Sequence, residues 1–118
     1  MQREKFACNC GCGYCNPHWR LWSKLEGLEE VCDNEDIELR ISSGSRCPAH
    51  NAATPGAAPN SYHLCGRAAD LVFLRADGII NIDFLPRCIQ DILETFDGYA
   101  NYGMYCHVDV RSEKRWRG

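Results

Sequence analysis

A chain of 118 residues can bury one modest core but not two. Apolar residues make up 45% and charged residues 25%, the balance of an ordinary globular domain. The net charge of −3 argues against nucleic acid or an anionic membrane as the main partner, since both recruit basic faces. No apolar run approaches the roughly 18 residues that a bilayer span needs. Met1-Gln2-Arg3-Glu4-Lys5 is not followed by an apolar stretch, so no Sec-type signal peptide is expected. Nine cysteines are many for this length, and an odd number cannot all pair within one chain. Without a signal peptide, reduced thiols or metal ligands are expected rather than a disulfide framework.

The first distinctive stretch, residues 6–15, holds Cys8, Cys10, Cys12 and Cys15 among Gly and Asn. It reads either as a small structural zinc knuckle or as a Cys-rich turn with thiols or one disulfide. Four-thiolate zinc sites normally draw ligands from two separated turns. Cys32, Cys47 or Cys88 could therefore complete a site in space. A helix is expected from Asn16 or Pro17, with Trp19, Trp22, Leu25, Leu28, Val31 and Cys32 as its apolar stripe. At helical spacing the two tryptophans read as core rather than as a ligand platform.

Ile37 to Ser42 alternates apolar and polar residues and reads as a half-buried strand. It runs into Ser43-Gly44-Ser45-Arg46-Cys47-Pro48. Arg46, just past the strand end, can reach into a cleft and pair bidentately with a carboxylate, or it can be a solvated surface residue. Residues 49–60 read as a long loop, a common place for function. Arg67 to Leu74 reads as a strand with Ala68, Asp70 and Val72 on one face and Ala69, Leu71 and Phe73 on the other. A second helix is expected over 82–96, with Pro86 tolerated in its first turns. Residues 97–103 read as a short strand or turn. Tyr105 to Val110 is a strand that puts His107, Asp109 and Arg111 on an open, cleft-facing side and Cys106, Val108 and Val110 toward the core. The charged tail, 111–118, is expected to fray or to fold back at Trp116.

Helices on one face of a mainly antiparallel sheet make this an α+β domain spanning 1–118. Its other face carries Asp70 and His107, and His63 arrives from the preceding loop. Two imidazoles and a carboxylate are the ligand set of a catalytic zinc, which keeps its fourth position for water. As a pattern of spacings alone this set is common. A cysteine nucleophile is disfavoured, because Cys106 and His107 are strand neighbours and point to opposite faces.

The motif Ser61-x-His63-x-x-Gly66-x-Ala68-x-Asp70, followed by His107-x-Asp109, resembles the zinc D-alanyl-D-alanine carboxypeptidase family. That family includes bacterial wall carboxypeptidases, vancomycin-resistance dipeptidases and phage L-Ala-D-Glu endolysins, with the hedgehog signalling domain as a fold relative. The Ser43 to Pro48 segment, His50-Asn51 and the opening Phe6-Ala7-Cys8 are similar to its short, phage-type branch. The resemblance implies zinc held by His63, Asp70 and His107. It implies that Arg46 receives the substrate's carboxylate, that Ser61 lines the cleft, and that the substrate is a peptidoglycan stem peptide.

The chain departs from the family's pattern where a carboxylate base stands three residues before the last His. Here that position is Met104, and Tyr105 follows where some members place another His. Asp109 remains as either the base or a group that orients His107. The expected function is a zinc peptidase of bacterial wall peptides, monomeric, acting after lysis-type release or as a virion component. The alternative is a catalytically silent zinc domain that binds wall peptides or a protein partner.

Overall fold

The computed structural model describes residues 2–12, 15–45, 47–53, 63, 66–111 and 116–117. Six strands form one sheet: β1 (Glu38–Ser43), β2 (Ala68–Arg75), β3 (Gly78–Ile79), β4 (Gly98–Asn101), β5 (Cys106–Asp109) and β6 (Trp116–Arg117). The order is β1-β2-β5-β4-β6, with β3 paired to β2. All pairings are antiparallel except that of β4 with β6. Three helices, α1 (Trp19–Asn34), α2 (Pro48–Ala53) and α3 (Arg87–Leu93), complete the α+β fold.

Alternation along β2 does what the sequence pattern predicts. Ala69, Leu71 and Phe73 are buried in the core, with Cys106 and Val108 of β5 beside them. The opposite faces of the same two strands carry Asp70 and His107, which lie directly across from each other. Leu21, Leu25, Leu28 and Cys32 of α1 and Ile89 and Leu93 of α3 close the core. The sheet therefore separates a packed apolar layer from a polar one.

Four local expectations are corrected. Helix α1 begins at Trp19 and not at residue 16 or 17, because His18 is its N-cap, its Nδ1 accepting from the Arg20 N–H at 3.2 Å. The buried stripe runs through Leu21, Leu25, Leu28 and Cys32, so Trp19 is 74% exposed and stacks on His18 instead of entering the core. Trp22 packs edge-on against Phe6. The helix expected over 82–96 is two pieces, a short 3-10 turn (Ile82–Phe84) and α3, because Pro86 holds Leu85 in an extended conformation at ψ 149°. The expected loop at 49–60 begins with helix α2, and residues 54–60 lie outside the described set. In the tail, residues 116–117 fold back and pair with β4, the second of the two courses open to it.

Trp19 and Leu21 give a direct test of the helix phase. Leu21→Ala should cost about 2–5 kcal/mol of unfolding free energy, whereas Trp19→Ala should stay within about 0.5 kcal/mol of the parent. Urea unfolding midpoints measure both. Equal losses would contradict the burial difference.

Candidate metal centre

His63, Asp70 and His107 come together from three places in the chain. Asp70 and His107 are cross-strand partners on β2 and β5. His63 precedes β2 by a tight turn that ends at Gly66, whose φ is +71°. A side chain there would be strained, and its Cβ would fall onto the backbone carbonyl of Asn16. The glycine of the motif is thus needed to bring His63 back over the strand.

Each imidazole is held by the nitrogen that faces away from Asp70. His63 is buried at 3% exposure, and its Nδ1 lies 2.7 Å from the Gly44 carbonyl oxygen, which can only accept. Nδ1 therefore carries a proton, and Nε2 is turned toward Asp70 Oδ1 at 3.5 Å. His107 uses the opposite nitrogens. Its Nε2 donates to Asp109 Oδ2 at 2.8 Å, and its Nδ1 faces Asp70 Oδ1 at 3.1 Å. The two rings meet edge to face, with centroids 5.5 Å apart.

Asp109 is fully buried and committed. Arg111 grips both of its oxygens, Nε to Oδ1 at 2.7 Å and Nη2 to Oδ2 at 2.8 Å. The Arg111 backbone N–H donates in turn to Asp97 Oδ2, which also pairs with Arg20 of α1 at 3.4 Å. A chain of contacts thus runs from α1 to the His107 ring. The face bearing Asp109 is consequently closed at that residue, not open as the strand pattern suggests. Gly98 of β4 makes this closure possible, since it lies opposite Asp109 and a Cβ there would collide with the carboxylate.

The electrostatics agree with this geometry. Burial works against ionisation of Asp70, but hydrogen bonds from His107 and His63 outweigh it and hold the carboxyl well below its usual range. Burial also opposes charge on His107, yet the Asp109 and Asp70 carboxylates raise its pKa to about 9. Asp109 is likewise held low, burial being overcome by Arg111 and then by His107. Tyr105, half exposed in the β4–β5 connection and stacked on Tyr102, has its phenol pushed up by burial and by the Asp70 charge.

The donor set suits zinc. Ligand bonds of about 2.0–2.2 Å set tetrahedral neighbours about 3.3–3.6 Å apart. The two nitrogens lie 3.5 and 3.1 Å from Asp70 Oδ1, and the three donor atoms fall within 4.8 Å of one another. Once His107 is neutral, three lone pairs converge on one point, an arrangement only a cation relieves. The outer nitrogens are tied to a carbonyl and a carboxylate, as ligand imidazoles commonly are.

A family model described as Peptidase M15 matches residues 1–109. The chain belongs to the Peptidase M15 family. This is the zinc D-Ala-D-Ala carboxypeptidase type of family that the His63, Asp70 and His107 motifs resemble. Membership makes the chain one of a family of zinc-dependent metallopeptidases, and the residues above are able to hold that metal. No curated protein and no solved structure matches it significantly. Among the described residues no helix is long and apolar enough to cross a membrane.

Other expected site residues of this M15 chain fare differently. Arg46 and Ser61 lie outside the described residues. Met104 is exposed, its sulfur 3.9 Å from Asn81 Nδ2. Of the four N-terminal cysteines, Cys15 packs against the core, while Cys8, Cys10 and Cys12 gather with Cys47. Of the three cysteines that could complete such a site from elsewhere in the chain, Cys47 is the one that does so, where β1 ends beside the N-terminal segment. The reading along the chain also missed Gly98, Asp97 and the Gly44 carbonyl. Only the period-two spacing of His107, Asp109 and Arg111 hinted at their chain of contacts.

Two measurements probe the centre. Zinc must displace the proton that His107 holds up to about 9, so affinity should climb as pH rises from about 6.5 toward 9, by about tenfold per unit. Competition with a chelator at three pH values checks this, and a flat profile would argue against His107 as a ligand. Asp109→Asn keeps an acceptor for His107 but loses the charge paired with Arg111. It should weaken zinc binding by roughly 10–100-fold.

Proposed function

We propose that this chain is a zinc peptidase that hydrolyses peptide bonds in the stem peptides of bacterial peptidoglycan, in the manner of a phage endolysin. The observation that carries the proposal is the convergence of His63 Nε2, Asp70 Oδ1 and His107 Nδ1, with both outer ring nitrogens already engaged. Zinc bound there would polarise a peptide carbonyl and lower the pKa of water to about 7.

The chain's own residues divide the remaining work. Gly44 and Asp109 keep the imidazoles in the tautomers that face the metal. Full burial and the Arg111 grip support a positioning role for Asp109 over that of a base. Arg46 is proposed to take the substrate's carboxylate through its planar fork, and Ser61 to line the cleft. A D,D-carboxypeptidase or endopeptidase cutting next to a D-residue would use these same parts. The enzyme would act as a monomer on the wall after release from the cell or as part of a virion, with no nucleic acid or membrane partner.

Met104 favours a second reading. A thioether cannot carry the proton that a carboxylate carries at that position in the resembling enzymes, so the fold could bind wall peptides or a protein partner without cutting. Incubation with purified peptidoglycan, followed by mass spectrometry of new amino termini, separates the two. Peptidase action predicts new termini that His63→Ala abolishes. Zinc-loaded protein that yields none would support the silent binding domain. Asp109→Asn at saturating zinc should still cleave, and complete loss would reinstate Asp109 as the base.

A further inference from the structure

We infer that Cys8, Cys10, Cys12 and Cys47 form a second, structural zinc site that clamps the N-terminal segment to the end of β1. The four side chains offer sulfur atoms that all lie within 4.8 Å of one another. The separations Cys8–Cys10, Cys8–Cys47 and Cys10–Cys47 are 3.4, 3.8 and 3.7 Å. Zinc–sulfur bonds of about 2.3 Å place the corners of a tetrathiolate about 3.8 Å apart. Disulfide sulfurs would stand at about 2.05 Å, and none of the described cysteines is so bonded. The spacing is that of ligands around a common centre.

The surroundings are built for such a centre. Cys8 is buried, and the Cys47 backbone N–H points at its sulfur at 3.4 Å. Such an N–H partner stabilises a thiolate ligand from outside the metal. Three further contacts hold the two segments in register. The Ser45 N–H donates to the Phe6 carbonyl at 2.8 Å, Asn9 Nδ2 donates to the Ser42 carbonyl at 2.7 Å, and the Ser45 hydroxyl pairs with Asn16 Oδ1 at 2.6 Å. Cys10 and Cys12 remain exposed at the surface, leaving a route for metal entry.

A four-sulfur, closed, tetrahedral set selects zinc among the abundant divalent ions and leaves no position for a reacting water. The site therefore differs in kind from the His–Asp–His centre. Its structural work is local, since the strand end it clamps includes Gly44, whose carbonyl holds His63.

Metal analysis of the full chain, purified reduced and without chelator, tests the assignment. The parent should carry about two zinc ions. Cys10→Ser and Cys12→Ser should each retain one, and His63→Ala should retain the other. Replacement of zinc by cobalt in the parent should give the intense near-ultraviolet thiolate-to-cobalt absorption, surviving His63→Ala and disappearing in Cys10→Ser. A parent with no such absorption overturns the site without relying on any variant. One zinc lost in His63→Ala but kept in Cys10→Ser also overturns it and leaves the peptidase centre standing. One zinc with the reverse behaviour upholds it and removes the peptidase centre.

Discussion

His63 and Asp70, close in the chain, and His107, far from both, are held almost in contact, and much of the structure serves to keep them there. Like-charged or like-polarised atoms at 3.1–3.5 Å repel unless a proton or a cation lies between them. In this protein each ring is also anchored on its far side. His63 leans on a backbone carbonyl, and His107 leans on a buried carboxylate that is itself gripped by a guanidinium. Neither ring can turn away without leaving a buried polar group unsatisfied, which costs about 1–3 kcal/mol.

The anchors reach into ordinary structural elements. Arg20 sits in the first turn of α1, whose start is set by the His18 cap and whose opposite face supplies Leu21 and Leu25 to the core. The same helix therefore seals the apolar layer and, through Asp97 and Arg111, steadies the His107 ring. Gly98 contributes by absence, because any side chain at that point of β4 would displace Asp109. Mutations remote from the metal should thus read out as altered metal affinity and not only as altered stability.

The end of β1 is the meeting point of the cysteine and imidazole clusters. A register shift falls between Ile41 and Ser43, just before Gly44, with Ser43 still paired to Asp70. Beyond it the Gly44 carbonyl meets His63, and Cys47 meets the N-terminal cysteines. One strand end thereby serves two sites of different chemistry.

Period-two alternation made the sheet faces legible from residue types alone. Leu71 and Phe73 had to face one way and Asp70 the other, whatever the partners. The His63 and Asp70 motif was legible for the same reason, since a short spacing leaves few ways to fold. Helix phase was less so: Trp19 and Leu21 both fit steps of three or four to Leu25 and Leu28, and it was packing that buried Leu21 and left Trp19 outside. Pro86 was visible, but whether it would open a helix or divide one depended on the packing of Ile82 and Ile89. Tertiary structure alone decided that Cys47 rather than Cys15 joins the cysteine group, and that Asp109 is sealed under Gly98 rather than open to a substrate. Sequence spacing constrains neighbours a few residues apart, whereas these choices are contacts between segments whose separation only the completed sheet brings to a few ångströms.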